Sequence, residues 1–227
     1  MRVSQDEAAE LVATAHALAD AAREATLAHF RQAGLSAETK ETDRFDPVTV
    51  ADRLSEERMR AILAARRPRD GILGEEYGPK AGTSGLTWVL DPIDGTRGYL
   101  SGTPTWGVLV AVSDAGGPLF GIIDQPYIRE RFEGGLGRAE VNGPSGRAAL
   151  RARAPRDLSE AILFTTFPEV GTPDEAAAFR RVAGRAKLVR YGMDCYAYAL
   201  LAAGENHLVV QAGGGAHRRP APPPGGG

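Results

Sequence analysis

A single cysteine, Cys195, stands in a chain of 227 residues. No intrachain disulfide can form, which excludes the small stapled scaffolds of secreted proteins. A reducing, cytoplasmic setting is expected, with Cys195 as a small buried side chain. Long apolar runs are missing as well: none approaches the roughly 20 residues needed to span a bilayer. The stretch from Met1 to Glu7 is acidic early and lacks the apolar core of a signal peptide. Charge of one sign is not in excess either, with 27 Lys+Arg against 29 Asp+Glu. That balance removes the reason to expect nucleic acid or a membrane surface as partner. The remainder, 43% hydrophobic and 25% charged, is ordinary for a globular protein that buries its own core. The length suits one large or two small domains.

Apolar residues at helical spacing (Ala8, Leu11, Val12, Ala15, Leu18, Ala19, Ala22) predict a long helix over 4–31. Ser4 with Glu7 has the pattern of a capping box, and Gly34 that of a stop. His16 and His29 read as ordinary helix residues. A second helix is expected from Thr49-Val50-Ala51-Asp52 to about Arg67, with Leu54, Met59, Ile62 and Leu63 on its apolar side. Ile72-Leu73-Gly74 reads as a strand that delivers Glu75-Glu76, and Leu86–Leu90 as a strand ending at Asp91. A short helix follows Thr96. Strands are then expected at 105–113, 118–124 and 130–133, the first two joined by Gly116-Gly117.

Segment 136–157, rich in Gly, Ala, Arg and Pro, reads as a join between two domains. Beyond it the pattern alternates: strand 161–166, helix 173–184, strand 188–189, helix 194–203 and strand 207–211. The run from Gly213 to Gly227 is composed of Gly, Pro, Ala, Arg and one His and predicts a disordered tail. The expected division is an N-terminal α+β domain over 1–145 that binds metal and phosphate, a shorter α/β domain over 146–212, and the tail over 213–227.

Asp91-Pro92-Ile93-Asp94-Gly95-Thr96 carries the chemistry. Two carboxylates sit at a strand end, Pro92 stiffens the backbone between them, and Gly95 permits a tight turn. Asp94 is placed to cap the next helix, whose first N–H groups favour an anion. Glu75 and Glu76 also follow a strand. If the two strands are neighbours, so many carboxylates need a cation. Mg²⁺ takes carboxylate, water and phosphate oxygen together. Either fragment alone reads better as a turn or as solvated charge; the two together, each after a strand, point instead to a metal and phosphate site.

Gly74-Glu75-Glu76 followed by Trp88-Val89-Leu90-Asp91-Pro92-Ile93-Asp94-Gly95-Thr96 resembles the first signature of the inositol monophosphatase superfamily. Asp43 through Val48-Thr49-Val50-Ala51-Asp52 resembles its upstream segment. The resemblance covers about residues 5–212. It implies an α/β (α+β) fold, the layered αβαβα sandwich shared with fructose-1,6-bisphosphatases, here truncated at the C-terminal end. It implies two or three Mg²⁺ ions and a phosphoric monoester hydrolase acting on a small phosphate monoester, usually as a homodimer. By that resemblance Glu75, Asp91, Asp94 and the Ile93 carbonyl hold metal, and Gly95 and Thr96 hold phosphate. Thr96 with Asp52 orients a water that Glu75 and the metal activate.

Thr96–Gly102, Pro104–Gly107, Gly121–Tyr127 and Tyr191–Tyr198 resemble the histidinol-phosphate phosphatase branch of histidine biosynthesis more than the inositol branch. Asp194 is the informative position, since a carboxylate complements the cationic histidinol. A helix cap is the other reading of Asp194. Glu76 is the second candidate contact to substrate.

The family's second signature carries an aspartate that binds the second metal, but no Asp or Glu follows Glu205 in this chain, and Gln211 stands where some members have glutamate. Two explanations stay open, out-of-frame translation near residue 213 or a degenerate member; the abrupt change of composition favours the first. Weak binding of the second metal and low activity are expected on either.

Overall fold

The computed structural model describes residues 3–32, 38–39, 47–155, 157–167 and 171–211. The expectations for Gly34, Asp43 and the 213–227 tail fall outside these residues.

Helix α1 runs Gln5–His29, followed by the short strands β1 (Glu38–Thr39) and β2 (Pro47–Val48), and then helix α2 (Val50–Arg66). Strands β3 (Gly71–Gly74), β4 (Gly78–Lys80) and β5 (Thr87–Asp94) lead to helix α3 (Thr96–Ser101). Strands β6 (Gly107–Asp114), β7 (Gly117–Gln125), β8 (Glu130–Gly135), β9 (Arg138–Gly143) and β10 (Gly146–Ala149) follow. The remaining part alternates β11 (Ile162–Thr165), α4 (Pro173–Ala183), β12 (Leu188–Tyr191), α5 (Asp194–Ala203) and β13 (Leu208–Val209).

Two sheets organise the chain. The larger has eight strands in the order β10-β9-β8-β7-β6-β5-β3-β4, and the smaller is β12-β11-β13, parallel throughout. Helices α1 and α2 lie together on one face of the large sheet. Leu11, Leu18 and Ala22 of α1 and Met59 and Leu63 of α2 close there over Trp88, Leu90, Val108, Val110, Val112, Phe120 and Ile122, all buried. Helix α5 packs on β7 as well as on β11 and β13. Tyr196 of α5 sets its ring against Phe132, which pairs with Ile123. By the period-two alternation of a strand, Ile123 faces away from Ile122 and hence away from α1. Helix α5 therefore lies between the two sheets, which gives the layered α/β sandwich.

The expected elements are present, with five local corrections. Helix α1 stops at His29, because Phe30 leaves helical geometry to pack its ring against Tyr99, Trp106 and Tyr127. Only the Ser4 half of its capping box forms, the Glu7 N–H donating to Ser4 Oγ at 3.2 Å. The packed face of α2 holds Ala51, Asp52, Ser55 and Glu56 with Met59 and Leu63, and Ile62 packs against the same core as expected, so the face also carries polar side chains that the apolar spacing did not indicate. Strand β5 continues through Asp94, with a register break between Asp91 and Asp94. Segment 136–157, read as a join, instead forms the β9–β10 hairpin and extends the large sheet to Ala149. Its exposed pairing leaves no buried apolar face, so no strand periodicity marks it.

Replacing Leu18, fully buried between helix and sheet, by Ala should cost about 2–5 kcal/mol through lost transfer energy and a residual cavity. Urea denaturation monitored by far-UV circular dichroism reads this directly, and a loss below 1 kcal/mol would contradict the packing described.

Candidate functional site

The parallel pair β3–β5 brings the two acidic fragments together. Gly74 pairs with Leu90, and the Glu75 N–H donates to the Leu90 carbonyl at 3.2 Å. Glu75 thus leaves its strand beside Asp91. Leu90 points into the α1–α2 core. The pleat therefore turns Asp91 to the opposite face, the one α5 covers. After Asp91 the strand bulges, and Ile93 drops into a second core with Phe30, Ala51, Tyr99 and Trp106. The bulge leaves Asp94, also buried, directed to the same corner.

Gly95 follows with φ +91° and opens α3 without any side-chain cap. Asp94 is therefore not the helix cap expected of it, because the extended strand carries it past the capping geometry. The Thr96 hydroxyl donates to the Ile93 carbonyl at 3.1 Å, which leaves that oxygen a second lone pair. Asp52 sits one turn into α2. Its Oδ2 accepts from the Thr49 N–H at 2.8 Å and the Thr49 hydroxyl at 2.6 Å, completing a capping box.

Burial pushes the Asp91 carboxyl well above the usual carboxylate range; the charges of Glu75 and Asp94 push it further, as do a hydrogen bond to Glu75 and the charge of Asp52. Its Oδ1 is buried with no hydrogen-bond partner. Among the described residues, no three His, Cys, Asp or Glu side chains are arranged to hold a cation as they stand. The donors nevertheless suit one. A buried carboxylate oxygen without a donor, in a corner where the charged neighbours are also carboxylates, fits a hard divalent cation by chemistry. Glu75, Asp91 and Asp94 are the side chains that could hold it.

Asp194 arrives from the far side of the chain. Its carboxylate lies where a side chain on Gly95 would be, with Oδ2 only 2.7 Å from an ideal Cβ there. A side chain on Gly98 would meet the same carboxylate and the hydroxyls of Thr103 and Thr105. Asp194 is not the helix cap, which is Met193; it is the first helical residue and has φ +45°, a conformation costly for a non-glycine residue. Glu76 follows Glu75 in the β3–β4 connection, half-buried. Its N–H is held by Glu56 at 2.7 Å.

Cys195 is buried as expected, but it lines this corner and does not belong to either core. A side chain on Gly107 would meet its Sγ at 2.8 Å. Burial raises its thiol pKa, as do the charges of Asp94, Asp91 and Asp194. Gln211 bonds to the Thr166 hydroxyl at 2.5 Å and accepts from the Tyr198 hydroxyl at 3.1 Å.

His16 lies elsewhere, in a cleft of about 690 Å³ between α1 and β8–β10. It is 2.7 Å from Glu133. Arg23 and Arg131 there converge on Asp124, which is wholly buried. The cleft is thus an internally paired ionic network. Two site features escaped the sequence reading. Glu56 was hidden by its charge, although it stands four residues after Asp52 on the same helix face. Thr103 had no periodic signal at all, while Thr105 entered only as part of Pro104–Gly107 and of the strand expected at 105–113.

The chain matches the model of the inositol monophosphatase family over residues 7–219. It is 39% identical to a bifunctional chloroplastic phosphatase of Arabidopsis thaliana over 214 residues, 93% of this chain and 60% of that protein. It is 33% identical to a histidinol-phosphatase of Mycobacterium tuberculosis over 191 residues, 83% of this chain and 73% of that protein. Among solved structures, an inositol monophosphatase from Zymomonas mobilis superposes with a TM-score of 0.77 at 37% identity, covering 91% of this chain and 78% of that one.

Asp91 binds its proton more tightly folded than unfolded. The stability this contributes is fully present below the ordinary carboxylate pKa of about 4 and is lost as pH rises through the raised value. Without divalent cations, the contribution of Asp91 to urea resistance should therefore fall as pH rises above about 4, read as the difference between wild type and Asp91→Asn. Asp91→Asn, which has no proton to lose, should flatten that fall and be the more stable protein at neutral pH. An equally steep pH dependence in both would remove Asp91 as the cause.

Proposed function

The chain belongs to the inositol monophosphatase family, and from that premise we propose that it is a Mg²⁺-dependent phosphomonoesterase scaffold whose substrate is histidinol phosphate. The observation that carries the reading is the approach of Asp194 to Gly95, beside a buried carboxyl whose neighbours are carboxylates. A carboxylate at the Gly95 turn repels a bare phosphate, so its natural partner is a cationic group on the same substrate. Histidinol phosphate has that combination: a phosphate for the metal-binding corner, and an amine and imidazole for Asp194.

Glu75, Asp91, Asp94 and the Ile93 carbonyl would hold the cations. Bound Mg²⁺ would lower the pKa of a water and offset the charge that develops on the phosphate oxygens. The protein's own part is positional. Gly95 and Thr96 present backbone N–H groups to the phosphate, and Thr96 and Asp52 orient the water, whose proton passes towards Glu75. Asp194 and Glu76 receive the cationic end of the substrate. A second copy of the chain is the expected partner, and the cytoplasm is the expected compartment. Among the described residues no helix is long and apolar enough to cross a membrane.

Two other readings have observations of their own. Inositol 1-phosphate is the alternative substrate, favoured by the fold match to the Zymomonas mobilis inositol monophosphatase. A member with impaired turnover is the second, favoured by the lack of any Asp or Glu among residues 206–227 to complete a second metal position.

Hydrolysis of histidinol phosphate and inositol 1-phosphate, assayed with Mg²⁺, separates these readings. Histidinol phosphate should be preferred. Asp194→Ala should raise its KM about tenfold or more, the size of a lost hydrogen bond to a charged group, without changing the weaker inositol reaction. A preference for inositol phosphate, unaffected by Asp194→Ala, would reject the histidinol assignment. Asp94→Asn should lower Mg²⁺ affinity by at least about tenfold. Turnover with either substrate is expected to be slow, and an ordinary family rate would dismiss the impaired reading.

A further inference from the structure

Glu56 is a carboxylate with 0% exposure, a placement that costs free energy unless both oxygens are satisfied. Both are. Oε2 accepts from the Glu76 N–H at 2.7 Å. Oε1 accepts from the Tyr77 N–H at 3.2 Å and from Arg60 Nε at 2.7 Å. Arg60 in turn donates to the Gly78 carbonyl. A side chain at Gly74 could not coexist with this arrangement, since its Cβ would lie 1.9 Å from Glu56 Oε1 and 2.7 Å from Arg60 Nη2. The Glu56–Arg60 pair, one turn apart on α2, therefore grips the whole connection from Gly74 to Gly78.

Glu75 lies inside the gripped segment. Its own N–H is fixed on the Leu90 carbonyl, and the next two N–H groups are fixed by Glu56. Three successive backbone donors are thus committed, which fixes the direction in which the Glu75 side chain leaves the backbone, and that side chain hydrogen-bonds to Asp91. The same helix face carries Asp52 four residues earlier, so α2 bears on the acidic corner at two points.

We propose that Glu56 is a positioning residue for cation binding, holding the Gly74–Gly78 turn so that the Glu75 carboxylate is presented to the Asp91–Asp94 corner. It does not touch the cation itself. The proposal rests on the reading of Glu75 as a ligand. Glu56→Gln keeps the volume but replaces one oxygen by an amide NH₂ that cannot accept, so either the Glu76 or the Tyr77 N–H loses its partner. Glu56→Asp keeps the charge on a side chain one methylene shorter and cannot reach both.

Mn²⁺ titration followed by electron paramagnetic resonance measures the consequence without turnover. Wild type, Glu56→Gln, Glu56→Asp, Glu75→Gln and the Glu56→Gln/Glu75→Gln pair are compared at one pH. Glu56→Gln should weaken Mn²⁺ binding about 10- to 100-fold, the range for partners that orient a ligand, and hydrogen exchange at the Glu76 and Tyr77 amides should speed up. In the Glu75→Gln background the same change should add nothing, because the group being positioned is gone. Glu56→Asp should lose affinity similarly, and it answers the question if the Gln variant does not fold. Mn²⁺ affinity within twofold of wild type in a folded Glu56 variant, or losses that simply add in the double variant, would overturn the proposal. Wild-type affinity in Glu75→Gln alone would instead overturn the ligand reading, and the proposal with it.

Discussion

Everything at the acidic corner depends on one constraint: carboxylates crowded into a buried place cannot all keep their charge. Asp91 shows the consequence, its carboxyl raised far above its ordinary range by burial and by Glu75, Asp94 and Asp52. Like charges in low dielectric repel, and one must take a proton unless a cation offsets them. A fold that gathers such groups is destabilised at that point and recovers the energy elsewhere, in the dry contact of α1 and α2 with the large sheet. The core is in this sense the support that lets the corner exist.

The geometry that gathers the carboxylates is economical. One parallel strand pair sets Glu75 beside Asp91, and one bulge turns Asp94 the same way. Helix α2 contributes from its N-terminal end, where Asp52 closes a capping box while its charge reaches Asp91. Helix α5, between the two sheets, contributes the last group. Gly95 and Gly107 make that approach possible, since side chains at either would collide with Asp194 or Cys195. The left-handed conformation of Asp194 is a strained choice for a residue with a side chain. It is consistent with a position kept for what its carboxylate faces, not for helix stability.

The ionic network around Asp124 makes a useful contrast. Its central carboxylate, Asp124, is fully buried, yet Arg23 and Arg131 supply the opposite charge within hydrogen-bond distance. Each acid there has its base, so the network is complete without a ligand. At the acidic corner, by contrast, Asp91 keeps a buried oxygen with no hydrogen-bond partner and has carboxylates as its charged neighbours. That asymmetry is the physical reason to look for a cation in one place and not in the other.

Much of this was legible along the chain. Helical spacing marked α1 and α2, runs of β-branched and aromatic residues marked β5 to β8, and Asp91–Thr96 with Glu75-Glu76 marked the acidic fragments, because each signal is local. Residues 136–157 misled, since an exposed hairpin needs no apolar alternation. Asp94 misled as a cap, since whether a strand ends or bulges is settled by its partner β6 and not by its own residues. Glu56 was invisible, because a charged residue on a helix reads as solvent-facing until a neighbouring turn is seen to need its oxygens. The sequence by itself determined the elements, the pairing of acidic motifs with strand ends and the family. Only the tertiary structure decided which carboxylates share a corner, that Glu56 grips the turn bearing Glu75, and that Asp194 reaches Gly95. Those contacts run from 16 residues of chain, Glu75 to Asp91, to 99, Gly95 to Asp194, and a contact at that separation is set by packing of whole layers, which no local pattern records.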